Sequence, residues 1–191
     1  LLKNLLLNRL RGTGNSAADV ARTTWDRMRN ELEASESRKR IDPNRFILHW
    51  WLSQEDYVAE RKLFPAVKKK IKSKPIARNQ LASLSRDAPL YRAVIEPTSR
   101  AWPMEEDDAR LSLEALSVFG IVQPAPLLLS LLRARDATPK LKGMQLKKTL
   151  QVVERFHFQH TVVSQLRSSG GVSEMYAKAA RELSAAGGAR G

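Results

Sequence analysis

Three groupings in this 191-residue chain bring together residue types that can do chemistry. Glu154 and His157 form an E-x-x-H, with His160 one residue triplet further on. One E-x-x-H is half the ligand set of a carboxylate-bridged di-metal bundle, and a matching helix must supply the other half. The sequence holds no second copy. A zinc ion on His157 and His160 needs further ligands, and the flanking Phe156 and Phe158 favour packed or surface imidazoles. The run Glu105-Glu106-Asp107-Asp108 suits a hard cation, but it also suits the positive end of a helix dipole, which is the commoner use. Trp50-Trp51 is a pair that can stack bases, or more simply be buried beside Phe46. There is no G-x-S-x-G and no cysteine, and Gly12-Thr13-Gly14 lacks the lysine and length of a phosphate-cradling loop. No catalytic residue, metal ligand or cofactor is assigned to this chain.

The strongest chemical signal is charge. Lys and Arg number 33 against 20 Asp and Glu, a formal net charge of +13 and a pI near 10.4. Such an excess makes a polyanion the first partner to consider. It is densest between residues 61 and 78, where Arg61, Lys62, Lys68, Lys69, Lys70, Lys72, Lys74 and Arg78 include no acid among them. A face of this kind neutralises phosphates and releases counterions, giving affinity that does not depend on base sequence. A solvated helix face that complements its own C-terminal dipole accounts for the same residues. A second group, Arg133, Arg135, Lys140, Lys142, Lys147 and Lys148, is partly offset by Asp136. The expected nucleic-acid contacts are Lys68, Lys69, Lys70, Lys72, Lys74 and Arg78, then Arg133, Lys140 and Lys142.

The elements that position these residues read as helices throughout. Leu, Ala, Arg, Lys and Glu dominate, all of them helix formers, and no alternating strand-like run occurs. The expectation is an all-α, irregular bundle of about eight helices over 1–186, followed by a flexible tail at 187–191. A first helix spans Leu1–Leu10. A second, ending near Ala34, places Ala18, Ala21, Trp25, Met28 and Leu32 on one stripe. Ser35–Arg40 is a loop. Asp42-Pro43 starts a helix carrying Phe46, Ile47, Trp50 and Trp51 inward. The basic helix runs from Ala59 to Lys74 and is ended by Pro75. Leu81, Leu84, Ala88, Tyr91 and Ile95 continue at helical spacing, with Pro89 expected to break or kink them. The next helix bears Leu111, Ala115, Leu116 and Phe119 and is closed by Gly120. Leu127–Arg133 follows, then the longest candidate, Lys142–Leu166. Gly170-Gly171 makes a turn, and Ser173 caps a last helix to about Ala186. No apolar run approaches the roughly 18 residues of a membrane span. The start shows no signal-peptide plan and reads as the middle of an element, so a cytoplasmic piece of a larger protein is expected.

Against this background Phe46-Ile47-Leu48-His49-Trp50-Trp51-Leu52-Ser53, then Tyr57 and Arg61-Lys62-Leu63-Phe64, resembles the helical region of GmrSD-type proteins. These are modification-dependent restriction enzymes and related phage-defence proteins. Val122-Gln123-Pro124-Ala125-Pro126-Leu127-Leu128-Leu129 is similar to the family's Q-P-x-P-L-L-L element, and Val153-Glu154-Arg155-Phe156-His157-Phe158 to its I-E-R-F-x-F segment. Tyr176 with Ala179 or Ala180 matches the closing helix, and Leu2-Lys3-Asn4-Leu5-Leu6 a K-N-x-L stretch. Ile47-Leu48 depart from the expected Leu-Arg. The motif residues Lys3, Asn4, His49, Trp51 and Ser53 carry over without a role. The resemblance implies a parent endonuclease that uses a nucleoside triphosphate and a divalent metal in adjacent domains. This chain has neither the D-G-Q-Q-R of the nucleotide-hydrolysing domain nor the histidine set of the HNH nuclease. It would then be the region that engages modified duplex DNA and couples those domains. The other open reading is a helical scaffold that docks an acidic partner or sister domain.

Overall fold

The computed structural model describes residues 1–11, 15–34, 41–137, 141–163 and 170–188. Nine α-helices and no strand occur among the described residues. They are α1 (Leu2–Leu10), α2 (Asn15–Glu33), α3 (Pro43–Leu52), α4 (Glu60–Lys70), α5 (Lys74–Ile95), α6 (Asp107–Val118), α7 (Ala125–Ala137), α8 (Gly143–His157) and α9 (Gly170–Gly188). The all-α expectation holds. Gly12–Gly14, the loop 35–40, Lys140, the side chain of Val163, Leu166 and the last residues of the tail lie outside the described residues.

The chain divides into two compact units, one of residues 1–48 and 58–89, the other of residues 49–57 and 90–191. In the first, α1 lies along α2, with Leu2, Leu6 and Leu10 buried on one side and Ala21, Trp25, Met28 and Leu32 on the other. Lys3 Nζ meets Asp26 Oδ1 at 3.0 Å, while Arg11 and Arg22 line one groove. The two helices therefore run antiparallel. Asp42 Oδ1 accepts from the Asn44 N–H at 2.9 Å, which caps α3 as the Asp-Pro signal predicts.

Three expectations are corrected here. Pro75 does not end the basic helix. α4 stops at Lys70, and Pro75 stands in the first turn of α5, where an N–H is not needed. Ser73 Oγ accepts from the Ile76 N–H at 3.5 Å, so the serine supplies the start. Pro89 does not break α5, which continues through it to Ile95. Its ring faces solvent, and buried Leu84, Ala88, Leu90 and Tyr91 hold the helix on either side. Gly170, Gly171 and Ser173 lie inside α9 and make neither a turn nor a cap.

In the second unit α6 packs along α8 and α7 along α9. Asp108 pairs with Lys147, Ser112 with Glu154, and the Phe119 ring with that of Phe158, so α6 and α8 run in the same direction. The buried stripe of α6 is Ala109, Ser112, Leu113 and Leu116. Leu111, Val118 and Phe119 consequently face outward. Gly120 has φ 67°, and the N–H groups of Gly120 and Ile121 bond to Ser117 O and Leu116 O, the glycine-closed end the sequence predicts. α7 extends four residues past Arg133. α8 gives way after His157 to a π-helical segment, Phe158–Val163, so α5 with 22 residues is the longest described helix.

Candidate nucleic-acid interface

In α4 the apolar positions Val67 and, just beyond it, Ile71 are buried, which turns the residues between them outward. Lys68, Lys69, Lys70, Lys72, Lys74 and Arg78 are all exposed. Among the described residues, Lys68, Lys69, Lys72, Lys74 and Arg78 make no ion pair. The lysines occupy the last turn of α4, a three-residue connection and the first turn of α5. At 1.5 Å per helical residue and at most ~3.6 Å per extended one, the whole set lies within about 25 Å. The dipole of α4 favours Lys68, Lys69 and Lys70 at its C-terminal end, whereas Lys74 stands in the first turn of α5, against the positive end of that helix.

The charge is divided unevenly. The first unit holds 19 Lys and Arg against 8 Asp and Glu, and the second holds 14 against 12. Nearly all of the net +13 therefore belongs to the first unit.

The second basic group is differently placed. Arg133 is half-buried and donates from Nη2 to Ser53 Oγ at 2.8 Å. Arg135 Nε donates to the buried Glu106 Oε1 at 2.6 Å, and Asp136 takes both terminal nitrogens of Arg100 at 3.2 and 2.8 Å. Lys147 pairs with Asp108. Lys142 and Lys148 remain exposed, without an ion pair to a described residue. The structure thus leaves the group of residues 68–78 displayed and draws Arg133, Arg135 and Lys147 of the second group into bonds within the unit.

The acidic run is consumed in the same way. Glu105 and Glu106 face Arg135, Asp107 accepts from Arg110, and Asp108 meets Lys147. No group of three or more His, Asp or Glu among the described residues is arranged to hold a metal ion. Glu154 is turned to Ser112 Oγ, 2.6 Å away on α6. His157 is buried against the Tyr176 ring, with centroids 5.6 Å apart and Nε2 without a hydrogen-bond partner among the described residues, and His160 stacks on Phe156 at 5.3 Å. Burial, and secondarily His160, push the His157 imidazolium below its usual range, and burial pushes the Tyr176 hydroxyl up to about 12. These residues offer no fit to the divalent metal that the resemblance implies for the parent.

Of the motif residues, His49, Trp51 and Ser53 are buried. His49 Nδ1 lies 2.8 Å from Tyr91 Oη in a buried pair, and buried Trp51 donates from Nε1 to Asp56 O at 3.2 Å. Trp50 and Trp51 are both in the core. Ser53, fully buried just past the end of α3, is a hub. Its Oγ donates to Trp50 O at 2.7 Å and accepts from Arg133, and its carbonyl accepts from Ser130 Oγ and Ser184 Oγ, each at 2.8 Å. The three contacts from Ser130, Arg133 and Ser184 tie α7 and α9 to the end of α3. The orphan carbonyls of a helix end need such donors. Lys3 is held by Asp26, whereas Asn4 is exposed.

A groove between α1 and α2, lined by Lys3, Asn4, Leu7, Asn8, Arg11 and Arg22, went unread in the sequence. Its one legible signal is the spacing of Asn4, Asn8 and Arg11 on a single helical stripe. The chain matches no protein-family model, no curated protein and no solved structure.

Proposed function

We propose that this chain is the DNA-engaging and coupling region of a GmrSD-like, modification-dependent defence endonuclease of the cytoplasm. The reading rests on one observation above the rest. The first unit carries nearly all the net charge and displays Lys68, Lys69, Lys70, Lys72, Lys74 and Arg78 at the α4–α5 corner. There the ammonium groups meet the duplex backbone, and the second unit, near electrical balance, forms the scaffold toward adjacent catalytic domains. Nucleotide turnover and cleavage belong to those domains, and modified DNA is the substrate they share.

Six phosphate contacts give a slope of log affinity against log salt of about −5, so affinity falls about a thousandfold between 50 and 200 mM salt. Exchanging Lys68, Lys69, Lys70 and Lys72 for Glu should abolish duplex binding in a fluorescence-anisotropy titration. Unchanged affinity and slope in that variant overturn the reading. The purified chain is expected to hydrolyse no nucleotide and cut no DNA.

A second reading, a scaffold that docks a protein partner, draws on a different observation. Leu111 and Val118 of α6 and Phe119 just past its end, with Phe158 beside Phe119, form an exposed apolar stripe. Binding to a sister domain that survives the lysine substitutions but fails in Val118→Ser/Phe119→Ser favours that reading.

A further inference from the structure

The α1–α2 groove has a chemistry of its own, separate from the lysines at 68–74. Asn4, Asn8 and Arg11 recur at i, i+4 and i+7, which puts them on one stripe of α1 and its C-terminal cap. Arg22 of α2 faces them across a volume of about 550 Å³, within the range of small-ligand sites. Among the described residues no carboxylate lines the groove. Asp26 lies on the same helix one turn beyond Arg22, but it is engaged by Lys3 Nζ at 3.0 Å. Because the helices are antiparallel, that pair closes one end and leaves Arg11 and Arg22 toward the other. Neither arginine makes an ion pair with a described residue, and neither asparagine amide makes a hydrogen bond to one.

Two guanidinium groups line one groove without an ion pair to a described residue, and an oxyanion there gains attraction from both. The planar guanidinium fork matches phosphate oxygens two at a time. The carboxamide NH2 groups of Asn4 and Asn8 add neutral donors along the same stripe. A phosphoryl group, with three oxygens and up to two negative charges, uses these donors more fully than a carboxylate does.

We propose that this groove is a phosphate-binding site that holds a phosphoryl group through Arg11 and Arg22, with Asn4 and Asn8 as orienting donors. The phosphate belongs either to a free polyphosphate or to a nucleic-acid backbone, and the binding chemistry is the same for both.

The test uses the full chain with two probes. Inorganic triphosphate is titrated calorimetrically, and a 20-base-pair duplex is titrated by anisotropy at 50 and 200 mM salt. The variants are Asn8→Asp and the double exchange Arg11→Gln/Arg22→Gln, all at exposed positions, with thermal melting to confirm an intact fold. A free-phosphate site gives triphosphate binding that weakens at least tenfold in both variants, while the four-lysine variant binds it as the wild type does. A backbone site gives duplex affinity that falls in both groove variants, with a salt slope smaller by about two in the double exchange. The proposal is overturned if the wild type binds neither probe, or if both probes bind the groove variants as tightly as the wild type. Triphosphate binding without duplex binding supports the groove and removes the DNA reading, so the two fail separately.

Discussion

Replacing Arg135 with Leu should destabilise the protein far more than replacing its partner Glu106. The Glu106 side chain is 2% exposed and that of Arg135 21%. Arg135 Nε holds Glu106 Oε1 at 2.6 Å, and Glu106 Oε2 is buried with no hydrogen-bond partner among the described residues. Gly143, the first residue of α8, closes over this turn, where an added Cβ would stand 3.5 Å from Glu105 Cγ and 3.7 Å from Glu106 Cγ. Removing the guanidinium therefore strands a carboxylate where water does not reach it. Breaking a buried pair in this way costs about 3–5 kcal/mol. Removing the carboxylate instead leaves a partly exposed guanidinium that turns to solvent and to Glu105, so Glu106→Leu should cost only about 1–2 kcal/mol. The double variant Glu106→Leu/Arg135→Leu has no charge to strand and should return to within about 1 kcal/mol of wild type. For a chain of this length about 4 kcal/mol corresponds to a fall in Tm of about 8–16 °C. Urea unfolding followed by circular dichroism gives all corners of the cycle. Equal losses in the two single variants, or a double variant as unstable as Arg135→Leu, refute the argument.

The remaining predictions concern His157, Arg133 and Trp50. His157 is buried neutral, so its folded-state pKa lies below the unfolded value of about 6.5. Stability is therefore complete above that value and is lost as pH falls through it, by up to about 1.4 kcal/mol per pH unit, until the folded imidazole itself titrates. Tm measured from pH 8 to 5 should fall more steeply in wild type than in His157→Phe, and parallel curves count against it. Arg133→Gln should lower stability by about 1–2 kcal/mol through the loss of its bond to Ser53, with duplex affinity and salt slope unchanged. A reduced slope returns Arg133 to the DNA contacts. Trp50→Ala, at a side chain 1% exposed, should cost about 3–5 kcal/mol, and a loss under 1 kcal/mol in urea unfolding places that ring outside the core.

Much of the fold is legible from periodicity. Ala21, Trp25, Met28 and Leu32 are buried as their spacing predicts, because an apolar face at 3.6-residue spacing has few other resting places. Asp42 before Pro43 and Gly120 after Val118 mark real helix ends for local reasons, a carboxylate cap and a positive φ. The two internal prolines were less legible. Whether a proline starts, ends or merely interrupts a helix depends on its place in the turn and on what is buried around it: Pro75 falls in the first turn of α5, and Pro89 is exposed between buried Ala88 and Leu90.

Composition alone determined that the chain is helical, basic and free of cysteine chemistry, and local spacing determined where most helices begin. Only the tertiary structure decided which charges stay outside. Arg133, Arg135 and Lys147 are as cationic in the sequence as Lys68, Lys69 and Lys72, yet the first three meet Ser53, Glu106 and Asp108 across helix packings that join residues 29 to 80 positions apart. A charge is neutralised by what lies within a few ångströms of it in space, and that neighbour is seldom its neighbour along the chain.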